Sequence, residues 1–175
     1  CKDCVYGAAQ RTRRKKGTLV LGPKPEKFGE QVTADTLVSR YTKDVQPDEF
    51  VDGAGNGIVI YDRGTDWPAC YPYALKNYEN TLEAFRSFQG ADKVKSMYTD
   101  CARELKKAIK KMRWRPRSST PGQPKSNGLA ERKVRFVKEK TRTILSQSGL
   151  KKEWWPPAAR QVCHSYVIGR PKEGK

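Results

Sequence analysis

The alternation of hydrophobic and polar residues in the first half of the chain predicts β-strands. β-branched residues cluster in residues 31–40, and residues 57–63 read G-I-V-I-Y-D-R. A polar, acidic segment containing D-G-A-G-N-G separates these two runs and is typical of a long hairpin connection. Residues 67–73 are predicted to complete an antiparallel meander, and residues 93–99, in which charged and apolar side chains alternate, to form a fourth strand.

Three further segments from residue 77 onward, and a fourth near the carboxyl end, have the patterns of helices. Residues 77–88 are predicted to form a helix that ends at a glycine, and residues 101–112 to form a basic helix. Residues 127–147 lack proline and predict a long helix, whereas the Pro-, Ser- and Gly-rich residues 115–125 predict a mobile loop. A last helix is predicted from Glu153, with prolines in its first turn. This order predicts an α/β fold, a mixed sheet with helices on its faces.

The charge is strongly positive and uneven. Thirty-six Lys and Arg against nineteen Asp and Glu give a net charge of +17, and residues 101–175 alone carry +16. Such a chain is expected to bind a polyanion, with nucleic acid as the leading candidate. The alternative is a solubilising basic surface, or a ribosomal-type or membrane-surface protein. We expect no membrane span, because the longest uncharged stretches, such as residues 67–75, are far shorter than the roughly 20 residues needed.

Three carboxylates lie at positions in the predicted strands and helices where α/β proteins often bind ligands. Asp35 lies within the first predicted strand, Asp100 ends the fourth, and Glu131 lies near the start of the long helix. Converged carboxylates raise each other's pKa unless a cation neutralises them. Mg²⁺ prefers oxygen ligands, and a pair of ions can clamp both oxygens of an in-line phosphoryl transfer. The alternative is an ordinary strand-end aspartate and a solvated glutamate.

The long helix also carries a basic stripe. Arg135, Lys138 and Arg142 follow Glu131 at i+4, i+7 and i+11, opposite an apolar stripe. A row of cations headed by one acid can follow a phosphate backbone while the acid holds a metal ion against the scissile phosphate.

The number and spacing of the cysteines indicate a protein of a reducing compartment, and two of them have the spacing of half a zinc site. There are five, an odd number, and their spacing does not resemble a disulfide framework. Cys1 and Cys4 form a C-x-x-C, which supplies two of the four ligands of a structural zinc ion. Because the chain begins at Cys1 without an initiator Met, we expect a longer parent chain. Residues 1–29 are interpreted as a remnant of a zinc-binding module and a basic linker, and residues 30–175 as the folded core.

Four motifs together resemble the integrases of retroviruses and long-terminal-repeat retrotransposons. They are C-K-D-C, T-A-D-T, Y-T-D-C-A-R-E-L and S-S-T-P-G-Q-P-K-S-N-G-L-A-E-R, and the resemblance covers nearly the whole chain. The last is the most specific, since these integrases typically show P-x-x-P-x-x-N-G-x-x-E-R. The matching residues are Pro121, Pro124, Asn127, Gly128, Glu131 and Arg132. Two departures, Ala102 in place of a glycine and a short segment between Asp100 and Glu131, indicate a compact variant or a decayed copy.

The resemblance implies an RNase H-like fold, a five-stranded mixed sheet flanked by helices, with residues 30–175 as the integrase catalytic core. It implies a metal-dependent polynucleotidyl transferase and endonuclease that trims the 3′ ends of retroelement DNA and joins them to target DNA. Asp35, Asp100 and Glu131 are then the catalytic residues and bind two Mg²⁺ or Mn²⁺ ions. Zn²⁺ is expected only in a longer parent chain.

The resemblance also implies DNA contacts by Arg135 and Lys138, and we expect Asn127 and Arg142 to join them. The expected partners are the retroelement ends, target DNA and further copies of the chain, and the expected site of action is the nucleus. The alternative is a degenerate, non-catalytic nucleic-acid-binding domain derived from an integrase, which binds DNA with the same sensitivity to salt. A ribonuclease H is disfavoured by N-G-x-x-E-R.

Overall fold

A computed structural model describes residues 23–38, 50–100, 102–118 and 128–169, together with residue 2. The strands are β1 (Val32–Val38), β2 (Asn56–Asp62), β3 (Trp67–Tyr73), β4 (Ser96–Thr99) and β5 (Arg115–Ser118). The helices are α1 (Tyr78–Gln89), α2 (Arg103–Lys111), α3 (Gly128–Ser148) and α4 (Trp155–Ile168), with short 3₁₀ turns at Val51–Gly53 and Lys152–Trp154.

The strands form one mixed, five-stranded sheet in the order β3-β2-β1-β4-β5. β1 pairs antiparallel with β2, and β2 pairs antiparallel with β3, which is the predicted meander. β4 lies parallel to β1, and β5 lies parallel to β4. A mixed sheet flanked by helices confirms the predicted fold class.

The ends of the helices follow from local chemistry. The side-chain oxygen of Asn77 accepts a 2.9 Å hydrogen bond from the backbone N–H of Asn80, which caps the start of α1. α1 ends at Gly90, whose φ of 55° favours glycine, and Gly149 follows α3 with a φ of 68°. The prolines of α4 lie in its first turn, where their missing N–H groups cost no helical hydrogen bond.

Different helix pairs cover the two faces of the sheet. Side chains alternate along a strand, so Ala34 and Ile60 pack beneath α1 and α2, whereas Leu37 and Val59 pack beneath α3 and α4. We call these the first face and the second face. The first-face core includes Phe85, Phe88, Met97, Leu105 and Ile109. The second-face core includes Val134, Val137, Trp155, Ala159 and Cys163.

Residues 115–118 form β5, so the prediction of a mobile loop over residues 115–125 was wrong at its start. Residues 119–127 lie outside the described residues. The prediction failed because Pro116 and its polar neighbours do not resemble a strand. β5 lies at the edge of the sheet, beside β4, and an edge strand tolerates proline because it needs hydrogen bonds on one side alone. β4 is also shorter than predicted, since it begins at Ser96.

Candidate metal centre and nucleic-acid interface

Asp35 faces the second face of the sheet from the middle of β1. It lies opposite Val59 in the antiparallel register and shares its face with Leu37, which is buried beneath α3 and α4. Its Oδ1 atom accepts a 2.7 Å hydrogen bond from the backbone N–H of Thr36. The side chain is half-buried, so its carboxylate remains partly open to solvent.

Asp100 directly follows β4, the parallel neighbour of β1. The parallel register pairs Thr33 with Tyr98, and Asp35 and Asp100 each lie two residues further along the chain. The two acids are close enough for the charge of Asp100 to contribute to the raised pKa of Asp35. The Oδ1 atom of Asp100 accepts a 3.1 Å hydrogen bond from the backbone N–H of Ala102, the residue before α2. The alanine that departs from the family pattern therefore takes part in this turn.

The charges that act on Asp35 come from Asp100 and from residues of α3. The pKa of Asp35 is raised from 3.8 to about 6, mainly because burial disfavours the charged form, and the negative charges of Asp100 and Glu131 add to the rise. The hydrogen bond from Thr36 and the positive charge of Lys138 lower this pKa. Charges act this way over short distances, so the three acids and Lys138 share one neighbourhood.

The three acids are the right kind of ligand for Mg²⁺, but their side chains lie too far apart to bind one ion together. Carboxylate oxygens are the ligands that Mg²⁺ prefers, and a cation relieves the repulsion that raises the pKa of Asp35. Within the described ranges, no three His, Cys, Asp or Glu side chains lie close enough together to hold a metal ion. Metal binding by Asp35, Asp100 and Glu131 therefore stays a prediction, and it requires the acids to draw closer.

α3 has the two stripes that its sequence predicts. The buried stripe contains Ala130, Val134, Val137 and Thr141. On the polar side, Glu131 and Arg135 are exposed, and Lys138 and Arg142 are half-buried. This side begins at the candidate metal ligand and continues along the helix as a row of cations. DNA binding by Arg135, Lys138 and Arg142 stays a prediction.

Three predicted site residues lie outside the described residues. They are Asn127, the predicted first residue of the long helix, and Cys1 and Cys4 of the predicted zinc half-site. In the part of the chain that the structure describes, no helix is long and apolar enough to cross a membrane.

Sequence reasoning missed Lys133, which connects α3 to the sheet and to α4. Its Nζ atom lies 4.1 Å from the centre of the Tyr61 ring and 4.9 Å from the centre of the Tyr166 ring, and it donates a 3.3 Å hydrogen bond to the Tyr166 hydroxyl. These contacts hold in place the turn of α3 that carries Glu131. Helical periodicity could not reveal them, because the two tyrosines belong to β2 and α4.

Comparison with known proteins places the chain beside a retrotransposon polyprotein. No protein-family model matches the chain. It is 29% identical over 109 residues to the retrovirus-related Pol polyprotein from transposon TNT 1-94 of Nicotiana tabacum. The match covers 56% of this chain and 8% of that polyprotein, so the chain corresponds to a small part of its curated relative.

Solved structures share the fold. The catalytic core domain of BIV integrase is similar with a TM-score of 0.56 at 12% identity, over 82% of this chain and 86% of that one. A chain of the simian T-cell lymphotropic virus intasome, solved by cryo-electron microscopy with a PP2A regulatory subunit, gives a TM-score of 0.61 at 14% identity, over 100% of this chain and 65% of that one. At these identities the structures show the fold, and together with the polyprotein they confirm the resemblance predicted from the motifs.

Proposed function

We propose that this integrase-type core is a metal-dependent polynucleotidyl transferase that trims the 3′ ends of retroelement DNA and joins them to target DNA. The observation that carries this proposal is the proximity of Asp35 to Asp100 and Glu131: burial is the main cause of the raised pKa of Asp35, and the charges of the other two acids add to it. Acids that served stability alone would gain from separation, because each opposes the charge of the others.

Two Mg²⁺ or Mn²⁺ ions would supply the missing positive charge. In this proposal Asp35, Asp100 and Glu131 would hold the ions. The ions, when bound, activate the attacking oxygen and stabilise charge on the scissile phosphate. The chain contributes orientation, because the N–H groups of Thr36 and Ala102 each hold one oxygen of Asp35 and Asp100 and leave the second oxygen for an ion.

The basic side of α3 is the proposed path of the DNA backbone. Arg135, Lys138 and Arg142 lie on the same side of the helix as Glu131, and Asn127 precedes the helix. Such cations bind phosphates and position the DNA without reading its sequence. The partners in this proposal are the retroelement ends, target DNA and further copies of the chain, and the site of action is the nucleus.

A second candidate function is a non-catalytic DNA-binding domain derived from an integrase. The observation that favours it is the lack, within the described ranges, of three acids close enough together to hold a metal ion. Both candidates bind DNA through the basic side of α3, so DNA binding does not distinguish them. Metal-dependent activity does distinguish them, because the transferase alone requires a metal ion.

A joining assay separates the two candidates. The chain is incubated with a branched DNA that mimics the joined product, with Mg²⁺ or with Mn²⁺, and compared with Asp35→Asn and Glu131→Gln. The transferase gives product that depends on metal and falls roughly 100-fold or more in each variant, because each loses a charged ligand.

Matched controls keep this assay specific. Asp92→Asn removes an exposed aspartate elsewhere, and Glu139→Gln removes a glutamate of α3 two turns beyond Glu131. Both should retain full activity. Equal product from all variants would indicate contaminating nuclease and contradict the assigned acids. No product, with unchanged DNA binding in every variant, would favour the non-catalytic domain.

A further inference from the structure

One side of α2 consists of cations and faces the solvent. Its other side is apolar, and Leu105, Ala108 and Ile109 pack into the first-face core. At about 100° per residue, the outward arc of the helix contains five basic residues. They are Arg103, Lys106, Lys107, Lys110 and Lys111, all exposed. We call these five residues the α2 cation face.

Few contacts within the fold involve the charged groups of the α2 cation face. Lys107 places its Nζ atom 4.3 Å from the centre of the Tyr78 ring. The ion pairs among the described residues involve none of the five cations. Glu104, the acid of α2, is paired at 3.2 Å with Lys76 and not with a cation of its own helix. The charges of the α2 cation face are therefore available to an external anion.

Helix stability does not account for the α2 cation face. Lys110 and Lys111 in the last turn interact favourably with the helix dipole, but Arg103 and Lys106 lie near the amino-terminal end, where a cation is disfavoured. Like charges four residues apart, such as Lys106 and Lys110, also repel one another. An external anion would remove both penalties.

The α2 cation face is separate from the basic side of α3. α2 covers the first face of the sheet and α3 covers the second, so the sheet lies between them. A straight duplex that lies along α3 therefore cannot also lie along α2. The positive charge continues beyond α2 through three exposed arginines, Arg113, Arg115 and Arg117.

The chemistry of the α2 cation face favours a phosphate backbone over a protein partner. Protein interfaces centre on buried aromatic and aliphatic anchors, and the five outward residues include none. DNA interfaces are much more positively charged. A nine-residue helix is about 13 Å long, a length over which a duplex presents roughly eight phosphates.

We propose that the α2 cation face binds the backbone of a second DNA segment, without reading its sequence and independently of α3. This inference rests on the proposed function for the choice of DNA as the polyanion, and it does not require catalysis.

Fluorescence anisotropy with a short labelled duplex in EDTA tests this proposal. The α2 variant combines Lys106→Gln, Lys110→Gln and Lys111→Gln, which removes three charges and keeps good helix formers. Each phosphate contact contributes about 0.9 to the slope of log K against log salt, so the slope should become shallower by roughly 2–3. The stoichiometry should fall from two duplexes per chain to one.

Three further proteins control the measurement. The combination of Lys27→Gln, Lys93→Gln and Lys151→Gln removes the same charge from exposed positions elsewhere and should change the slope by less than about 1. The combination of Lys106→Arg, Lys110→Arg and Lys111→Arg should retain the wild-type slope. An α3 variant, Arg135→Gln with Arg142→Gln, should lose the other duplex and keep the one bound by α2.

Two results would overturn the proposal. One is an equal slope and stoichiometry for the α2 variant and the scattered control, in which case the α3 variant still reports on the proposed function. The other is displacement of the duplex by polyglutamate as readily as by unlabelled DNA of equal charge, which would assign the face to an acidic protein. If the triple variant does not fold, Lys106→Gln alone, with an expected slope change of about 1, decides the same question.

Discussion

The two faces of the sheet contain different kinds of core. On the first face, large apolar side chains close against one another, and Phe85 and Phe88 are 0% and 1% exposed. On the second face, polar groups interrupt the core. Three buried polar atoms there have no hydrogen-bond partner among the described residues: the Thr33 hydroxyl, the Thr141 hydroxyl and the Trp155 indole nitrogen. The first-face core contains one such atom, the Tyr73 hydroxyl. The second face therefore accepts more unpaired polar groups, each of which costs stability.

Two acids of the sheet show the same contrast. Asp62 is fully buried and accepts hydrogen bonds from the Gly29 N–H at 2.9 Å and from the N–H and hydroxyl of Thr65 at 2.7 and 2.8 Å. Asp35 accepts a hydrogen bond from the N–H of Thr36 and lies near two further acids. The hydrogen bonds to Asp62 stabilise the fold, whereas the nearby acids around Asp35 destabilise it. A function on the second face therefore best accounts for Asp35.

The largest expected effect tests the first face. Phe85→Ala should lower the free energy of unfolding by about 3–5 kcal/mol, because it leaves a cavity beside the Trp114 ring, whose centroid lies 5.0 Å away. Phe136→Ala, at a partly buried position on the second face, should cost roughly 1–2 kcal/mol. Urea denaturation monitored by circular dichroism measures both values. Equal losses would contradict the division between the faces.

An opposite change is expected at Asp35. The pKa of this carboxyl is about 6 in the folded chain against 3.8 for an ordinary aspartate, so the folded state is penalised once the group ionises. Asp35→Asn should therefore stabilise the metal-free protein by about 1–2 kcal/mol at pH 7–8, after allowance for solvent screening of a partly exposed group. The gain should shrink as the pH falls from 6 and vanish below about 3.8.

Thermal unfolding in EDTA at a series of pH values measures this gain. Asp92→Asn, at an exposed position, should show no comparable rise. Mg²⁺ should raise the unfolding temperature of the wild type more than that of Asp35→Asn, because binding to the folded state alone stabilises it. A loss of stability in Asp35→Asn at pH 8 would contradict the electrostatic interpretation of the second face.

The smallest expected effect concerns the contact of α3 with its neighbours. Lys133→Met keeps the aliphatic stem but removes the cation between Tyr61 and Tyr166, and it should cost about 1 kcal/mol in the free energy of unfolding. Lys133→Arg retains a cation that stacks on aromatic rings and should remain within about 0.5 kcal/mol of the wild type. Similar losses in the two variants would assign the stabilisation to packing instead of charge.

Most of the fold could be predicted because the sequence of most elements, taken alone, has the pattern of a strand or a helix. The predicted third strand, residues 67–73, has the observed bounds, and α1 begins after the capping residue Asn77 as its pattern indicates. A fifth strand is expected from the resemblance, but the local pattern of residues 115–118 is interpreted as a loop, because β5 owes its extended shape to pairing with β4, which is distant in sequence. The local preferences of Pro116 and its neighbours gave no sign of this pairing.

The candidate site divides in the same way. The stripes of α3 could be predicted because helical geometry fixes which residues share a side. Asp35 and Asp100 could be selected because each lies within or directly after a strand that the sequence predicts. The raised pKa of Asp35 required knowledge of its burial, which no local pattern contains. The position of Lys133 depends on the packing of α3 against β2 and α4, which the sequence pattern also does not reveal.

The prolines of the sheet have a consequence for assembly. β3 and β5 are the outer strands of the described sheet; β3 contains Pro68 and Pro72, and β5 contains Pro116. Each proline deprives an outer strand of a hydrogen-bond donor, and proline is generally tolerated in an outer strand where its missing N–H would face away from the neighbouring strand. A second copy of the chain, or a misfolded one, finds no continuous row of donors on which to extend the sheet. Copies of the chain at a high local concentration can therefore remain separate without polymerising into fibrils.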